Sequence, residues 1–449
     1  MKSKDHFLRS VCILAIPVAL QSMLQSSFSM VDQIMIGQLG ETNVAGVGLA
    51  GKFASIYSVV ISAIGAVAGI MISQYLGQKN DREVRRSFFA NLLLGAGIAG
   101  IFMVICTLFP EKIMGAYTTD TLTCQVAAEY LTVISGTFVP VAGATLLSTL
   151  LRCREKPRLP LYASIVAALF NTGLNYILIF GKLGIPPMGV RGAAYATVIS
   201  QCANFLLMLV MLSRKQSART ENAQQTVKSP FHWCRYLAML LPLLICEVAW
   251  SLGENVYAGI YGHISTDASA AMTLTNPVQG IVIGALCGLS QAAGVIIGKR
   301  LGSGENEEAF RASKKLLLYG AVGSVILSVI VILFSGVYVE IYHVDETVKT
   351  MTKQLLFAYV LVAPFKVLNM ILGGGILRSG GRTKYVMYID MIGTWCFGVP
   401  LGLLGAFVLK LPVAGVYFLL SLEECVRFGI SIIVFKRKTW MHRLEADAL

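Results

Sequence analysis

Charged residues are scarce in this sequence. Only 14% of its 449 residues are Asp, Glu, Lys or Arg, and 55% are hydrophobic, whereas a soluble chain would carry about 25% charged residues. Long apolar runs alternate with short charged clusters along nearly the whole chain. Because a helix needs about 20 apolar residues to span the hydrocarbon layer, the pattern excludes an ordinary soluble domain and predicts an integral membrane protein.

Motifs for metal binding, nucleotide binding and intramembrane catalysis are also missing. The ten cysteines form no CxxC pair, and the five histidines fall at predicted loops or helix ends, so we expect no metal site. The run Gly294–Lys299 is one residue short of a phosphate-binding loop and lacks its Ser or Thr. Without an HExxH, GxSxG or paired-aspartate motif, we expect neither an enzyme nor a bound cofactor.

Twelve apolar segments predict an all-α membrane protein with twelve transmembrane helices. The first segment is too long for the core of a signal peptide and lacks a small-residue cleavage site, so we interpret it as a retained helix. The expected spans are 10–37, 47–76, 87–109, 124–150, 159–181, 188–213, 236–262, 269–298, 312–334, 351–377, 384–408 and 412–435.

Lysines and arginines alternate strictly between the predicted loops. Basic clusters precede the first helix, follow every even-numbered helix and occur in the polar segment 214–235, whereas the intervening loops hold few. By the positive-inside rule, both termini and this segment are cytoplasmic. We therefore expect a multi-pass protein of the plasma or inner membrane. The same topology accounts for the net charge of +13 without a nucleic-acid partner.

The chain repeats itself with an offset of 225 residues. This shift superimposes Pro17 on Pro242, Gly37 on Gly262, Leu76-Gly77 on Leu301-Gly302, and Gly95 on Gly320. Six helices per repeat make the two halves parallel, related by an axis along the membrane normal. The predicted parts are an N-terminal lobe (1–213), a cytoplasmic linker (214–235) and a C-terminal lobe (236–449).

Two facing lobes suit a transporter that works by alternating access. A two-lobed pore has the same symmetry and is the alternative, but it would not need so many polar residues within the helices of both halves. We therefore favour a secondary transporter.

Five segments of the chain carry a family pattern. They read PVALQSMLQSSFSMVDQIMIGQLG (17–40), GIMISQYLGQKN (69–80), its counterpart GVIIGKRLGSGE (294–305), LFNTGLNYILIFGKLGIPPMGVRGAAYATVIS (169–200) and ILRSGGRTK (376–384). Taken in their order along the chain, these segments resemble the multidrug and toxic compound extrusion (MATE) family over essentially the whole chain. The segment 241–265 is more similar to the prokaryotic branches than to the eukaryotic ones.

The resemblance implies two six-helix bundles and an antiporter that exports organic, often cationic or amphiphilic, compounds in exchange for H+ or Na+. The expected partners are a small-molecule substrate and the lipid bilayer, and the expected state is a monomer. The alternative transport function is that of a lipid-linked saccharide flippase of the wider superfamily. Flippases line their cavity with several basic residues, so the charge of the cavity distinguishes the two.

Asp32 is the acidic residue of the first apolar span. A carboxylate in the middle of a membrane helix costs roughly 2.5–3.5 kcal/mol, so it needs a partner, a wet cavity or a proton. Pro17 on the same helix removes a hydrogen bond and permits a hinge. In the family resemblance, Asp32 matches an aspartate tied to cation coupling, and Gln25 lies on the same side of the helix. The alternative is a solvated or capping aspartate near the outer helix end.

Asn171 and Asn175 are four residues apart and therefore share one face of their helix. They match a polar pair of the family whose second member is often an aspartate, and Thr197 of the next helix adds a hydroxyl group. The alternative role for all three is interhelical hydrogen bonding. Val367 stands where sodium-coupled members carry another aspartate. Since sodium is helped by several oxygen ligands and a fixed negative charge, these two differences favour H+.

The C-terminal half has its own polar residues within apolar segments. Glu247, Trp250 and Glu254 lie on one stripe that suits a cationic amphiphile, unless a glutamate is simply paired with a base. Lys366 is expected to neutralise one of these glutamates or to bind an anionic group. We assign all four, with Asp390, to a substrate cavity. By their spacing, the residues Glu423, Glu424 and Arg427 are predicted to pair within their own helix.

The topology gives the first testable prediction. Protease added to inside-out vesicles should cut within residues 214–230, because this polar segment is expected on the cytoplasmic side, and should leave two fragments of similar size on a gel. Right-side-out vesicles are the control. Cleavage confined to them would reverse the orientation.

Overall fold

The computed structural model describes residues 2–216, 233–340, 342 and 344–444. Most of the predicted linker lies outside these residues. Their α-helices, numbered in chain order, are α1 (Lys2–Gly37), α2 (Glu41–Gly77), α3 (Asp81–Leu108), α4 (Pro110–Gly115), α5 (Thr121–Ile134), α6 (Phe138–Cys153), α7 (Arg158–Phe180), α8 (Gly189–Gln216), α9 (Trp233–Ile264), α10 (Thr266–Gly302), α11 (Asn306–Glu340), α12 (Glu346–Asn369), α13 (Thr383–Met391), α14 (Val399–Leu403), α15 (Val413–Ser421) and α16 (Glu423–Lys436).

Several membrane spans contain or end in turns that are not α-helical. A 3₁₀ turn (Ser135–Thr137) joins α5 to α6, and another (Arg378–Gly380) precedes α13. Three π-helical stretches cover Met370–Leu377, Ile392–Gly398 and Leu404–Val408. Such π segments arise where the regular hydrogen-bond ladder is locally widened, often at functional sites.

Eleven helices of the described residues are long and apolar enough to cross a membrane. They are Phe7–Gly37, Glu41–Gly77, Asp81–Leu108, Thr121–Cys153, Arg158–Phe180, Gly189–Ser213, Trp233–Ile264, Thr266–Gly302, Asn306–Glu340, Glu346–Gly380 and Thr383–Val408. Each corresponds to one predicted span, so the all-α membrane fold is confirmed. The twelfth predicted span, 412–435, consists of α15 and α16, which have 9 and 14 residues and meet at Leu422.

The predicted boundaries are too narrow at several polar helix ends. Helix α2 begins at Glu41 rather than 47, and α11 runs from Asn306 to Glu340 rather than from 312 to 334. Hydropathy detects only the apolar part of a helix, whereas backbone hydrogen bonding continues into the polar region. The short helix α4 was not predicted, because six residues give no periodicity.

The described chain forms two compact units. The first comprises Met1–Ala19, Ser73–Asn80 and His232–Leu449, and the second comprises Leu20–Ile72 and Asp81–Phe231. Helix α1 is therefore divided between the units just after Pro17. The lobe limits at residues 213 and 236 stay predictions of the repeat.

Within the first unit, the ends of α2 and α10 cross through repeat-equivalent residues. A Cβ atom on Gly77 would overlap the carbonyl oxygen of Lys299, and one on Gly302 would overlap the carbonyl oxygen of Gln74. The offset of 225 residues relates 74 to 299 and 77 to 302. The two contacts are therefore copies of each other, as a two-fold axis through the crossing requires. This reciprocal glycine crossing confirms the parallel repeat.

The packing inside each unit repeats as well. In the second unit, a Cβ on Gly95 would lie 3.3 Å from Leu146 Cδ1. In the first unit, a Cβ on Gly320 would overlap Ile371 Cδ1. Because 95 and 320, like 146 and 371, differ by 225, equivalent helices pack through equivalent residues.

Gln74 anchors the last described residues to the end of α2. Its side chain is fully buried. Its Nε2 donates to the carbonyl oxygens of Ser379 at 2.6 Å and His442 at 3.1 Å, and its Oε1 accepts from the backbone N–H of Leu444 at 2.7 Å. These bonds use both amide hydrogens and the amide oxygen, and they hold His442 and Leu444 against the glycine crossing.

The crossing generates a stability prediction. Gly302→Ala should lower thermal stability by about 1–3 kcal/mol, because the added methyl group meets a backbone oxygen and the two helices must separate. Gly100→Ala in α3 is the matched control, since nothing lies within 4 Å of its added Cβ. Unfolding would be followed by intrinsic fluorescence in detergent. Equal stability of the two variants would show that the two helices can separate at the crossing without loss of stability.

Candidate functional site

In the second unit, the polar residues predicted on three different helices meet at one point. Asn175 Nδ2 of α7 donates to Asp32 Oδ1 of α1 at 2.7 Å. On α8, Thr197 Oγ1 lies 3.4 Å and Ser200 Oγ 3.3 Å from Asn171 Nδ2. Both asparagines are buried. The structure thus joins Asp32, Asn171, Asn175 and Thr197, which we call the aspartate cluster.

The amide of Asn171 fits its neighbours in two orientations. In one, its oxygen accepts from Asn175 Nδ2 at 3.2 Å. In the other, its nitrogen donates to Asp32 Oδ1 at 2.8 Å and its oxygen accepts from Ser200 Oγ at 3.3 Å. The second orientation supplies the hydrogen bond that an ionised carboxylate needs. Asn175 Oδ1 is buried without a partner among the described residues.

An apolar layer lies one helical turn from the aspartate cluster. Ile36, Ile179 and Ala193 pack together as buried residues, with Tyr130 and Phe180 against them. Ile36 and Ile179 follow Asp32 and Asn175 by four residues, and Ala193 precedes Thr197 by four. Because α1 and α7 run opposite to α8 in the predicted topology, all three apolar residues lie on the same side of the cluster.

Some members of the site differ from the sequence-based set. Gln25 is exposed and makes no hydrogen bond to the cluster within the described ranges. Gln21, one turn earlier, donates to Ser164 Oγ at 2.9 Å. Ser200 was missed, although its spacing from Thr197 places both on one face of α8. Tyr130 was also missed. It lies close enough to Asp32 for a direct electrostatic interaction, but only tertiary packing brings them together.

In the first unit, Glu247 and Asp390 belong to a chain of charged contacts. Arg378 Nη1 lies 3.4 Å from Glu247 Oε1, and Arg378 Nη2 donates to Cys246 Sγ at 3.8 Å. The Cys246 thiol donates to Asp390 Oδ2 at 2.8 Å. Asp390 Oδ1 in turn lies 3.9 Å from Arg427 Nε. Glu247 is therefore paired with a helical base, which was the alternative considered for it, and that base is Arg378 rather than Lys366.

The chain of contacts ends at the start of α16. Arg427 lies 3.8 Å from both Glu423 and Glu424, and all three side chains are buried. The predicted pairing within one helix is confirmed. Tyr257 donates to Glu423 Oε2 at 2.5 Å, and Asn369 donates to Glu424 Oε2 at 2.8 Å.

A cavity of about 520 Å³, including space open to solvent, lies beside these glutamates. It is enclosed by α9, α10, α12, α15 and α16, and we call it the second-half cavity. Glu254 and Lys366 line it, whereas Glu247, Trp250 and Asp390 do not. Trp250 is 47% exposed. The other lining residues include the glutamates of α16 and the four tyrosines Tyr257, Tyr261, Tyr359 and Tyr417.

The tyrosines of the second-half cavity were missed by the sequence analysis. Tyr257 and Tyr261 follow Glu254 by three and seven residues, which puts all three on one face of α9. That spacing is readable in the sequence. Tyr359 and Tyr417 come from other helices, and no local pattern links them to this face.

The buried ion cluster generates a second stability prediction. Arg427→Met should destabilise the protein by about 3–5 kcal/mol, because two buried glutamates lose their counter-charge. Arg191→Met is the control. It breaks the Arg191–Glu129 pair, whose side chains are 57% and 39% exposed, and should change stability by no more than about 1 kcal/mol. Thermal unfolding in detergent would measure both, and a loss for Arg427→Met no larger than the control's would contradict a structural ion cluster.

Comparison with known proteins identifies the family. The family model described as MatE matches residues 17–177 and 242–404. The two matches begin at the prolines Pro17 and Pro242, which the internal offset had already paired. The chain belongs to the MatE family of membrane transporters, and the family resemblance seen in the sequence is confirmed.

Bacterial relatives align over nearly the full chain. A probable multidrug resistance protein YoeA of Bacillus subtilis is 24% identical, and the alignment covers 97% of this chain and 96% of the relative. A probable multidrug resistance protein NorM of Thermotoga maritima is 23% identical, with coverage of 96% and 92%. An uncharacterised transporter YisQ of Bacillus subtilis is 24% identical, with coverage of 95% and 93%.

Solved structures share the fold at lower identity. A MATE transporter of Vibrio cholerae superimposes with a TM-score of 0.89 at 15% identity, covering 97% of this chain and 98% of that chain. A MOP superfamily transporter of Pyrococcus furiosus, described as having a binding pocket of reverse polarity, gives a TM-score of 0.86 at 16% identity, with 96% of both chains covered.

Proposed function

We propose that the protein exports organic compounds, cationic or amphiphilic, in exchange for a cation, and that it does so by alternating access of its two halves. The observation that carries this proposal is the aspartate cluster, in which Asp32 is held by a buried asparagine of another helix. An acidic residue within a membrane span is costly and marks an ion pathway by default. Two of the bacterial relatives are named probable multidrug resistance proteins, which agrees with drug export.

The cluster has two hydrogen-bonding states that fit two protonation states of Asp32. When the carboxylate is ionised, the amide nitrogens of Asn171 and Asn175 can both donate to it. When it carries a proton, it becomes a donor and needs an oxygen acceptor. The Asn171 amide atom that lies 2.8 Å from Asp32 Oδ1 serves either way, because the amide can turn its oxygen or its nitrogen toward the carboxyl group.

These hydrogen bonds support H+ as the coupling ion. A sodium ion at Asp32 would need several oxygen ligands directed at it, whereas the amide nitrogen of Asn175 faces the carboxylate. Val367, at the position where sodium-coupled relatives carry an aspartate, is fully buried in an apolar core. Protonation would weaken the bond between α1 and α7, and the two states of the cluster would then favour different conformations.

Pro17 is suited to translate that change into a bend of α1. It interrupts the backbone hydrogen bonds of a 36-residue helix. The compact units divide the helix at Ala19, and Asp32 lies on the segment beyond this point. A change of hydrogen bonding at Asp32 would therefore move the segment of α1 beyond Pro17 relative to the segment before it.

The charge of the second-half cavity favours cation export over saccharide flipping. Its lining contains Glu254, Glu423 and Glu424 but one lysine, Lys366. A flippase that binds anionic diphosphate groups would need the opposite balance. The aromatic walls also suit a cationic amphiphile.

The proposed function is tested by Asp32→Asn. Asparagine imitates the protonated acid, so this variant should fold and bind substrate but should lose at least about tenfold of ethidium export driven by a pH gradient in proteoliposomes. Asp267→Asn is the control, because Asp267 is an exposed residue in the first turn of α10, and it should transport like the wild type.

The two candidate ions are separated by imposing each gradient alone. Ethidium export by the wild type under a pH gradient without sodium is the expected result. Export that requires sodium would replace H+ by Na+ while keeping Asp32 as the ligand. Normal transport by Asp32→Asn would make the aspartate structural.

A further inference from the structure

The second-half cavity contains both signs of charge in unpaired form. Within the described residues, neither the Lys366 ammonium group nor the Glu254 carboxylate has a hydrogen bond or an ion pair. Both line the cavity and lie within electrostatic reach of each other. By contrast, Glu423 and Glu424 are satisfied by Arg427, a tyrosine and an asparagine. The cavity therefore has one unpaired positive charge, on Lys366, and one unpaired negative charge, on Glu254.

Two neutral donors accompany Lys366. Tyr359 is 1% exposed, and its hydroxyl group has no partner in the described part of the chain. Gln279 Oε1 accepts from the Tyr417 hydroxyl at 3.4 Å, but Gln279 Nε2 has no acceptor there. All three donors line the same cavity. A buried donor without an acceptor costs roughly 1–3 kcal/mol, so their convergence indicates the place of an acceptor group of a ligand.

We propose that the second-half cavity binds compounds that carry a carboxylate besides their cationic group. The carboxylate would pair with Lys366 and accept hydrogen bonds from Tyr359 and Gln279. The cationic part would lie toward Glu254, against the rings of Tyr257 and Tyr261. The inference rests on the proposed export of organic compounds and names their class, which is zwitterionic rather than purely cationic.

The chemistry of Lys366 supports a carboxylate over an internal ion pair. A lysine that neutralised a glutamate would lie within about 4 Å of it, as a salt bridge requires. Glu424 is near Lys366 but takes Asn369 and Arg427 as its partners.

A pair of dyes tests the inference directly. One is a rhodamine with a free carboxyl group, and the other is the methyl ester of the same dye, which keeps the cation and removes the negative charge. Binding to the purified protein in lipid nanodiscs would be measured by fluorescence anisotropy. The wild type should bind the free acid more tightly than the ester.

Variants of the hydrogen-bond donors should weaken binding of the free-acid dye and leave binding of the ester nearly unchanged. Lys366→Gln should weaken binding of the free acid by about tenfold or more, because a charge-assisted bond is lost, and should leave the ester within about twofold. Lys366→Arg should retain the preference for the acid. Tyr359→Phe removes one oxygen atom and should reduce binding of the acid selectively, by a smaller factor. Glu254→Gln should weaken both dyes.

Several results would overturn the proposal. Equal losses of acid and ester in Lys366→Gln would make the lysine an internal counter-ion, and tighter binding of the ester by the wild type, or binding of neither dye, would exclude carboxylate recognition. If Lys366→Gln does not fold, Tyr359→Phe decides, and an unchanged affinity for the acid rejects the site. Ethidium export is measured in parallel. Its presence without a preference for the acid refutes this inference alone, whereas its absence refutes the proposed function.

Discussion

The cost of placing charge in an apolar solvent governs the arrangement of this protein. Its helices carry few ionisable residues, and several of those within the bundles are held by partners from other helices. Asp32 is held by Asn175, and Arg427 lies among three carboxylates. Such contacts fix the relative position of helices whose apolar faces alone discriminate weakly, because lipid is as apolar as the side chains. The same contacts supply the groups that an ion or substrate can displace.

Elements that depend on local pattern were predictable from the sequence. The length of the apolar segments predicted all eleven continuous spans of the described residues. The repeat offset predicted which residues would occupy equivalent places. The spacing of Asn171 and Asn175 gave their common face, and the family pattern singled out Asp32, which the structure places beside them. The pairing of Arg427 with two glutamates follows from helical spacing alone. These features are encoded within one or two turns of a helix or within a repeated register.

Other features depend on which helices become neighbours, and no single segment encodes that. Glu247 and Glu254 share a stripe in the sequence, yet one is paired with Arg378 and the other lines a cavity. The thiol of Cys246 reaches Asp390 from a distant helix. The break at Leu422 was also missed, because hydropathy averages over residues 412–435 and does not detect a local turn. The tyrosines of the second-half cavity come from three different helices, so their convergence is a property of packing.

The reciprocal glycine crossing has a mechanical consequence. Gly77 and Gly302 each admit the backbone of the other helix, and the two contacts are related by symmetry. A rotation of one helix about the two-fold axis of the crossing therefore loosens or tightens both contacts together. Neither contact can open while the other stays closed, so the two helices move at this point as one symmetric joint.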